Sequence, residues 1–267
     1  MRITIVGSGT AVPEPDRACS AYHVAVNSTR LLLDVGPGAV HHMARFGINW
    51  KRLTHVALTH FHNDHIGDLP YLLFALRWGM TPPRSAPLQL LGPPGTRELL
   101  DRLGAAFGSH VAAPDFPLQV HEMDDGDTID LGGGARLAAC RTRHTDASLA
   151  FRVETYDGTL AYTGDTGVDP DLARFVSGAD VLIAECSLPE QEAMDPHMTP
   201  ARLADLARTA RPGRLVVVHV YPQLTGADWP ALLKDHGWRG ETVRGRDGMK
   251  LRIGASADSL DDSAVPG

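Results

Sequence analysis

The chain has 267 residues, 43% of them hydrophobic, enough to bury a full-sized core without disulfide staples. Its three cysteines, Cys19, Cys140 and Cys186, form no C-x-x-C pair and suit a reducing compartment. A formal net charge of -7, from 25 basic against 32 acidic residues, excludes broad attraction to a nucleic-acid backbone, yet bound cations would reverse the potential locally for a small anion.

In chain order, the start M-R-I-T-I-V-G-S-G enters a strand at Arg2 to Val6, without the apolar core of about 7–15 residues that marks a signal peptide. G-S-G-T-A has an incomplete dinucleotide fingerprint and is followed by Val12-Pro13, so Gly7 and Gly9 read as turn residues. Strands are then expected at Val24 to Val26, Leu31 to Asp34, His55 to Leu58 and Leu88 to Leu91. Helices are expected at Gly38 to Phe46, Asp64 to Leu76 and Arg97 to Phe107. No apolar run reaches membrane-spanning length, since Leu69 to Met80 is broken by Arg77. A cytoplasmic protein without a membrane partner follows as the expectation.

Leu118 to Ala135 reads as strand, turn, strand and glycine hairpin, the place where two halves divide. The second half predicts strands at Thr128 to Leu131, Leu137 to Cys140, Leu149 to Glu154, Leu160 to Thr163, Val181 to Glu185, Leu215 to His219 and Met249 to Ile253. Its helices are Pro170 to Val176, Ala201 to Thr209, capped by Thr199 ahead of Pro200, and Trp229 to His236, capped by Asp228. The pattern predicts an α/β fold of two central sheets with helices outside, one domain over 1–254, and a disordered acidic tail from Ala255 to Gly267.

Thr59 to Ile66, T-H-F-H-N-D-H-I, places His60, His62, Asp64 and His65 directly after the apolar run Val56-Ala57-Leu58. Imidazoles and carboxylates at a strand end suit Zn²⁺, with Mn²⁺ and Fe²⁺ as chemically reasonable occupants. His60 and His62, two apart, can converge on one ion, while Asp64 and His65 at the turn into a helix can address a second. Two ions need more ligands than these. His144, Asp165 in Y-T-G-D-T and His219 in L-V-V-V-H each stand at or just past an expected strand end, where loops converge on one rim.

On these residues the chain resembles the metallo-β-lactamase-fold hydrolases, and within them the branch of ribonuclease Z and related phosphodiesterases. H-x-H-x-D-H is met by His60, His62, Asp64 and His65, and D-V-G-P-G from Asp34 and L-G-P-P-G from Leu91 belong to the same likeness. The resemblance implies a four-layer αββα sandwich and two divalent ions. His60, His62 and His144 would hold one, and Asp64, His65 and His219 the other, with Asp165 bridging and Asp34 fixing a ligand imidazole or the metal-bound water. It further implies that His197 in P-H-M-T-P contacts the scissile phosphate and protonates the leaving oxygen, that Glu185 orients His197, and that Asp64 positions a metal-bridging hydroxide. A homodimer is also implied.

Transfer-RNA-processing members of that branch carry a long basic arm between the third metal histidine and the bridging aspartate. Here only 20 residues, Thr145 to Gly164, fill that span, and Lys51, Lys234 and Lys250 are the only lysines. A small or cyclic phosphodiester is therefore the expected substrate, ahead of a large structured RNA. Competing readings keep the same site: a lactonase, carboxylesterase or arylsulfatase, a tRNA 3'-processing endonuclease, or a metal-binding protein without turnover. Trp78 and Met80 in Phe74 to Ser85 are expected to line a substrate mouth or a dimer interface, with Arg77 or Arg84 attracting an anion.

Overall fold

The computed structural model describes residues 1–254, so the tail expected over 255–267 lies outside the described residues. Six strands open the chain: β1 (Arg2–Gly7), β2 (Ala21–Val26), β3 (Thr29–Leu33), β4 (His55–Ala57), β5 (Leu88–Gly92) and β6 (Leu118–Glu122). Seven follow: β7 (Thr128–Gly132), β8 (Ala135–Arg141), β9 (Leu149–Thr155), β10 (Gly158–Tyr162), β11 (Val181–Glu185), β12 (Arg214–Val218) and β13 (Glu241–Arg244). The last, β14 (Lys250–Arg252), returns to the first group. One sheet has the order β14-β1-β2-β3-β4-β5-β6 and the other β13-β12-β11-β10-β9-β8-β7.

Period-two alternation along the strands builds the layers. Ile3 and Ile5, Tyr22 and Val24, Leu31 and Leu33 meet Phe151, Val153, Ile183 and Val216 between the sheets. The intervening residues face outwards: Leu32, Val56 and Leu90 pack under α1 (Ala39–Arg45), α3 (Leu69–Trp78) and α4 (Thr96–Phe107), a short turn α2 (Asn63–Ile66) preceding α3. Leu182, Leu215 and Val217 pack under α5 (Pro170–Phe175), α6 (Pro200–Ala210) and α7 (Trp229–Asp235). Each such side chain contributes about 1.5–3 kcal/mol by leaving water. The result is an α/β sandwich of two mixed sheets flanked by helices, the expected fold. No helix among the described residues is long and apolar enough to cross a membrane.

The helix caps form as the sequence predicts, with Thr199 accepting from the N–H of Arg202 and Asp228 from that of Ala231. Two elements differ. The helix expected from Asp64 to Leu76 breaks into α2 and α3, because Pro70 has no N–H to give the carbonyl of Ile66 and its ring would collide with it. Strand β13, E-T-V-R, was not expected; its lone aliphatic Val243 gives no run to read, and parallel pairing with β12 creates it.

β3, β4 and β5 run parallel, as do β10, β11, β12 and β13. Their C-terminal ends carry the functional candidates, and β8, separated from β10 by the antiparallel β9, ends on the same rim.

Candidate metal centre

Asp34 follows β3, the loop Thr59–His65 follows β4, His144 follows β8, Asp165 follows β10, Glu185 ends β11, and His219 follows β12. Asp34 and His219 sit in the left-handed region, at φ 55° and 50°. Such backbone costs about 1–3 kcal/mol per residue and persists only where surroundings fix it. Asp34 is fixed by four groups: its N–H donates to Ala57 O (2.8 Å), and its carboxylate accepts from Thr59 N (2.7 Å), Tyr162 Oη (2.8 Å) and His65 Nδ1 (2.8 Å). His219 N–H donates to Ser8 O at 3.1 Å. Gly36 allows the Asp34 loop to press on the cluster, since a Cβ there would stand 2.1 Å from Asp64 O.

One pattern aims the imidazoles. Nδ1 of His65 donates to Asp34, and Nδ1 of His144 to Pro196 O at 3.0 Å. Thr59 Oγ1, which donates to Asp34, meets His60 Nδ1 at 3.0 Å, and Ser187 Oγ, which donates to Glu185, meets His219 Nδ1 at 3.0 Å. With every hydroxyl proton already spent, these Nδ1 atoms are donors, and the four Nε2 atoms turn towards one another.

The inward atoms form overlapping groups whose ligand atoms lie within 4.8 Å of one another: His60, His62 and His144; His60, His65 and Asp165; Asp64, His65 and His219; and His144, Asp165 and His197. Asp165 approaches His65 Nε2 at 3.3 Å, His219 Nε2 at 3.5 Å and His144 Nε2 at 3.7 Å, while Asp64 Oδ2 is 3.2 Å from His219 Nε2. His62 Nδ1 stands 3.0 Å from His144 Nε2, near the roughly 3.3 Å that two nitrogens on one tetrahedral zinc keep.

These residues fit cations. His60 Nε2, His65 Nε2 and Asp165 Oδ1 are buried without a hydrogen-bond partner, although polar atoms in that state cost about 1–3 kcal/mol each. Burial, reinforced by the neighbouring His65 charge, holds His60 well below the ordinary imidazole pKa, which keeps its lone pair available. Burial likewise lowers His144. Burial opposes ionisation of Asp165, but His219 and His65 outweigh it and hold the carboxylate well below its usual range. For His65 the balance is reversed: burial is outweighed by Asp165 and Asp34, which hold its imidazole well above the usual value, so cation binding must displace a proton there. Donors in this arrangement form a binuclear metal site.

His197 lies on the open side, with Nδ1 donating to Glu185 Oε1 and Oε2 at 3.0 and 3.2 Å. Glu185 is buried, and also accepts from Thr166 N (2.7 Å), Met198 N (3.3 Å) and Ser187 Oγ. Burial disfavours the imidazolium of His197, but the Glu185 hydrogen bond and charge outweigh it and raise the pKa above 6.5.

Sequence reasoning overlooked Ser187, which ties Glu185 to His219, and Tyr162, which holds Asp34 across the interior. Ser187 left a faint trace: in E-C-S it stands two residues from Glu185, on the same side of an extended chain. The anion role expected for Arg84 is overturned. Its guanidinium is buried and spends four of its five N–H groups on the carbonyls of Lys51, Leu53, Ala86 and Pro87, so its charge is turned to backbone and not to a ligand. Arg77 pairs with Asp115 and lies 4.4 Å over the exposed Trp78 ring, while Met80 packs partly into the outer core.

Residues 29–220 match the family described as the beta-lactamase superfamily domain. Ribonuclease Z of Mycobacterium marinum is 32% identical over 256 residues, covering 87% of this chain and 91% of that protein. The metallo-beta-lactamase fold protein YhfI from Bacillus subtilis superposes with a TM-score of 0.81 at 22% identity, covering 94% of this chain and 98% of that one, a likeness of fold. Human short-form tRNase Z superposes with a TM-score of 0.78 at 25% identity, over 96% and 100% of the two chains. With the family matched over most of its length and clustered histidines and aspartates at the sheet rim, the chain belongs to the metallo-β-lactamase-fold superfamily of metal-dependent hydrolases.

Proposed function

We propose that the protein is a phosphodiesterase for a small or cyclic phosphodiester, with His60, His62 and His144 holding one divalent ion, Asp64, His65 and His219 the other, and Asp165 shared between them. Zinc suits this donor set best, with manganese or iron as alternatives. When bound, such a pair lowers the pKa of water and offsets charge on a phosphoryl oxygen. The protein's own side chains supply orientation and proton transfer. Asp64 Oδ2 faces His219, leaving Oδ1 to accept a hydrogen bond from the entering water.

The observation that carries the phosphodiester reading is the Glu185–His197 pair beside His144 and Asp165. With Nδ1 committed to Glu185, the ring keeps Nε2–H for the leaving oxygen, and the raised pKa extends the protonated form to higher pH. An alkoxide leaving group needs that proton. The sign of the pH dependence follows: the acid is competent below its pKa, so kcat falls as pH rises through a value above 6.5. Glu185→Gln removes the charge that opposes burial, and the alkaline limb of the kcat–pH profile is expected to move to lower pH. A limb left in place would exclude His197 as the acid.

Thr145 to Gly164 consists mainly of β9, β10 and the turn joining them, which supports a small substrate over a gripped RNA body. Cleavage of a tRNA precursor is the second reading, favoured by the likeness to the Mycobacterium marinum ribonuclease Z. The rings of Phe74 and Trp78, exposed on α3 with centroids 4.5 Å apart, support a homodimer through that face. A panel of bis-p-nitrophenyl phosphate, cyclic nucleotides, lactones, aryl esters, aryl sulfates and a tRNA precursor tests the assignment. Small diesters are expected to lead in kcat/KM by at least ~100-fold, the scale of general-acid catalysis. A lactone, carboxylic ester or sulfate ester ahead of them would overturn it.

A further inference from the structure

A second charged feature adjoins the metal centre. The loop Glu14–Arg17, the end of α1 and the segment Arg244–Asp247 enclose a cleft of about 450 Å³. Arg17, Arg45, Arg244 and Arg246 all line it, on a chain whose formal net charge is -7.

The three lining carboxylates, Glu14, Asp16 and Asp247, offset this concentration only in part. Asp247 points inwards and accepts from Ser8 N (2.9 Å), Ser8 Oγ (2.7 Å) and Ala18 N (2.7 Å), and its Oδ2 lies 3.0 Å from His42 Nδ1. Glu14 is paired with Arg17, which leaves the exposed Asp16. Arg45 and Arg246 are exposed and form no ion pair among the described residues. Burial first, and then the charge of Arg244, lowers the pKa of Arg17; burial and then Arg246 lower that of Arg244. The guanidinium groups therefore repel one another, a cost that a bound anion relieves.

Two residues of the cleft, Arg17 and Asp247, reach the backbone beside the metal centre. Arg17 Nη2 donates to the carbonyl of Val220 at 2.8 Å, one residue after His219. Ser8, held through Asp247, gives its carbonyl to the N–H of His219 at 3.1 Å. A ligand anchored among the arginines thus lies against the strap that positions a metal histidine.

We propose that this cleft receives a second phosphate of the substrate, so that the preferred substrate is a phosphodiester that also carries a phosphomonoester. Arginine suits the task because its planar fork donates two parallel hydrogen bonds to phosphate oxygens. The inference rests on the phosphodiesterase reading and adds to it a substrate class.

Two chromogenic esters test it: p-nitrophenyl thymidine 5'-phosphate, with and without a 3'-phosphate. For the metal-loaded wild type, the 3'-phosphate is expected to lower KM by ~10- to 100-fold, the range for charged hydrogen bonds. In the Arg45→Ala/Arg246→Ala double variant the ratio of the two KM values should collapse towards one; the ratio cancels any general damage. A calorimetric titration with thymidine 3'-monophosphate runs alongside, and affinity is expected to drop at least ~10-fold in the double variant. Equal KM ratios in the two proteins, or affinity that is absent or unchanged, would overturn the proposal. If neither ester turns over, the phosphodiesterase reading fails, and the titration still decides the cleft.

Discussion

Asp165→Ala is expected to abolish binuclear metal binding and to lower turnover by at least ~10³-fold, about 4 kcal/mol of barrier. The carboxylate is buried between the two histidine groups and lies 3.3 to 3.7 Å from nitrogens of His65, His219 and His144, so both ion positions lose a donor together. Alanine also removes the carboxylate these imidazoles share, leaving only Asp34 beside His65 and Asp64 beside His219, which weakens their convergence. Native mass spectrometry of zinc- and manganese-loaded protein should show one ion or fewer per chain. Retention of two ions by the variant would remove Asp165 from the shared position.

His197→Ala should behave differently. Turnover is expected to fall ~10²- to 10⁴-fold, the contribution of a positioned general acid, while both ions stay bound. His197 is turned towards Glu185 through Nδ1, and neither of the two proposed ligand sets includes it. The loss should be greatest for diesters with poor leaving groups and smallest for p-nitrophenyl esters, whose leaving oxygen needs little protonation. Metal loss equal to that of Asp165→Ala would defeat the division of roles between the two residues.

The sequence made most of the architecture legible because most strands are buried on one or both faces, and apolar runs such as L-V-V-V at Leu215 record that directly. The T-H-F-H-N-D-H-I segment was legible for another reason: ligands adjacent in the chain need only one turn to converge. His144, Asp165 and His219 became visible through position, each just beyond an apolar run.

What stayed hidden depends on contacts distant in the chain. The link from Tyr162 to Asp34 spans the interior between the two sheets, and no local pattern encodes it. The left-handed backbone of Asp34 and His219 is likewise imposed by partners, since neither residue is a glycine that would advertise it. Arg84 shows the opposite failure: a cation in a Pro- and Ser-containing stretch reads as exposed, yet four carbonyls draw it inside. The break before α3 was readable from Pro70, but the apolar periodicity running through it pointed to one continuous helix.

The central claim is that side chains from four strand ends converge to hold two cations, and anomalous diffraction from crystals of zinc-loaded protein tests it most directly. The account predicts two peaks about 3.5–4 Å apart, one among His60, His62 and His144 and one among Asp64, His65 and His219, with Asp165 between them. A single peak, or zinc bound away from these residues, would contradict it.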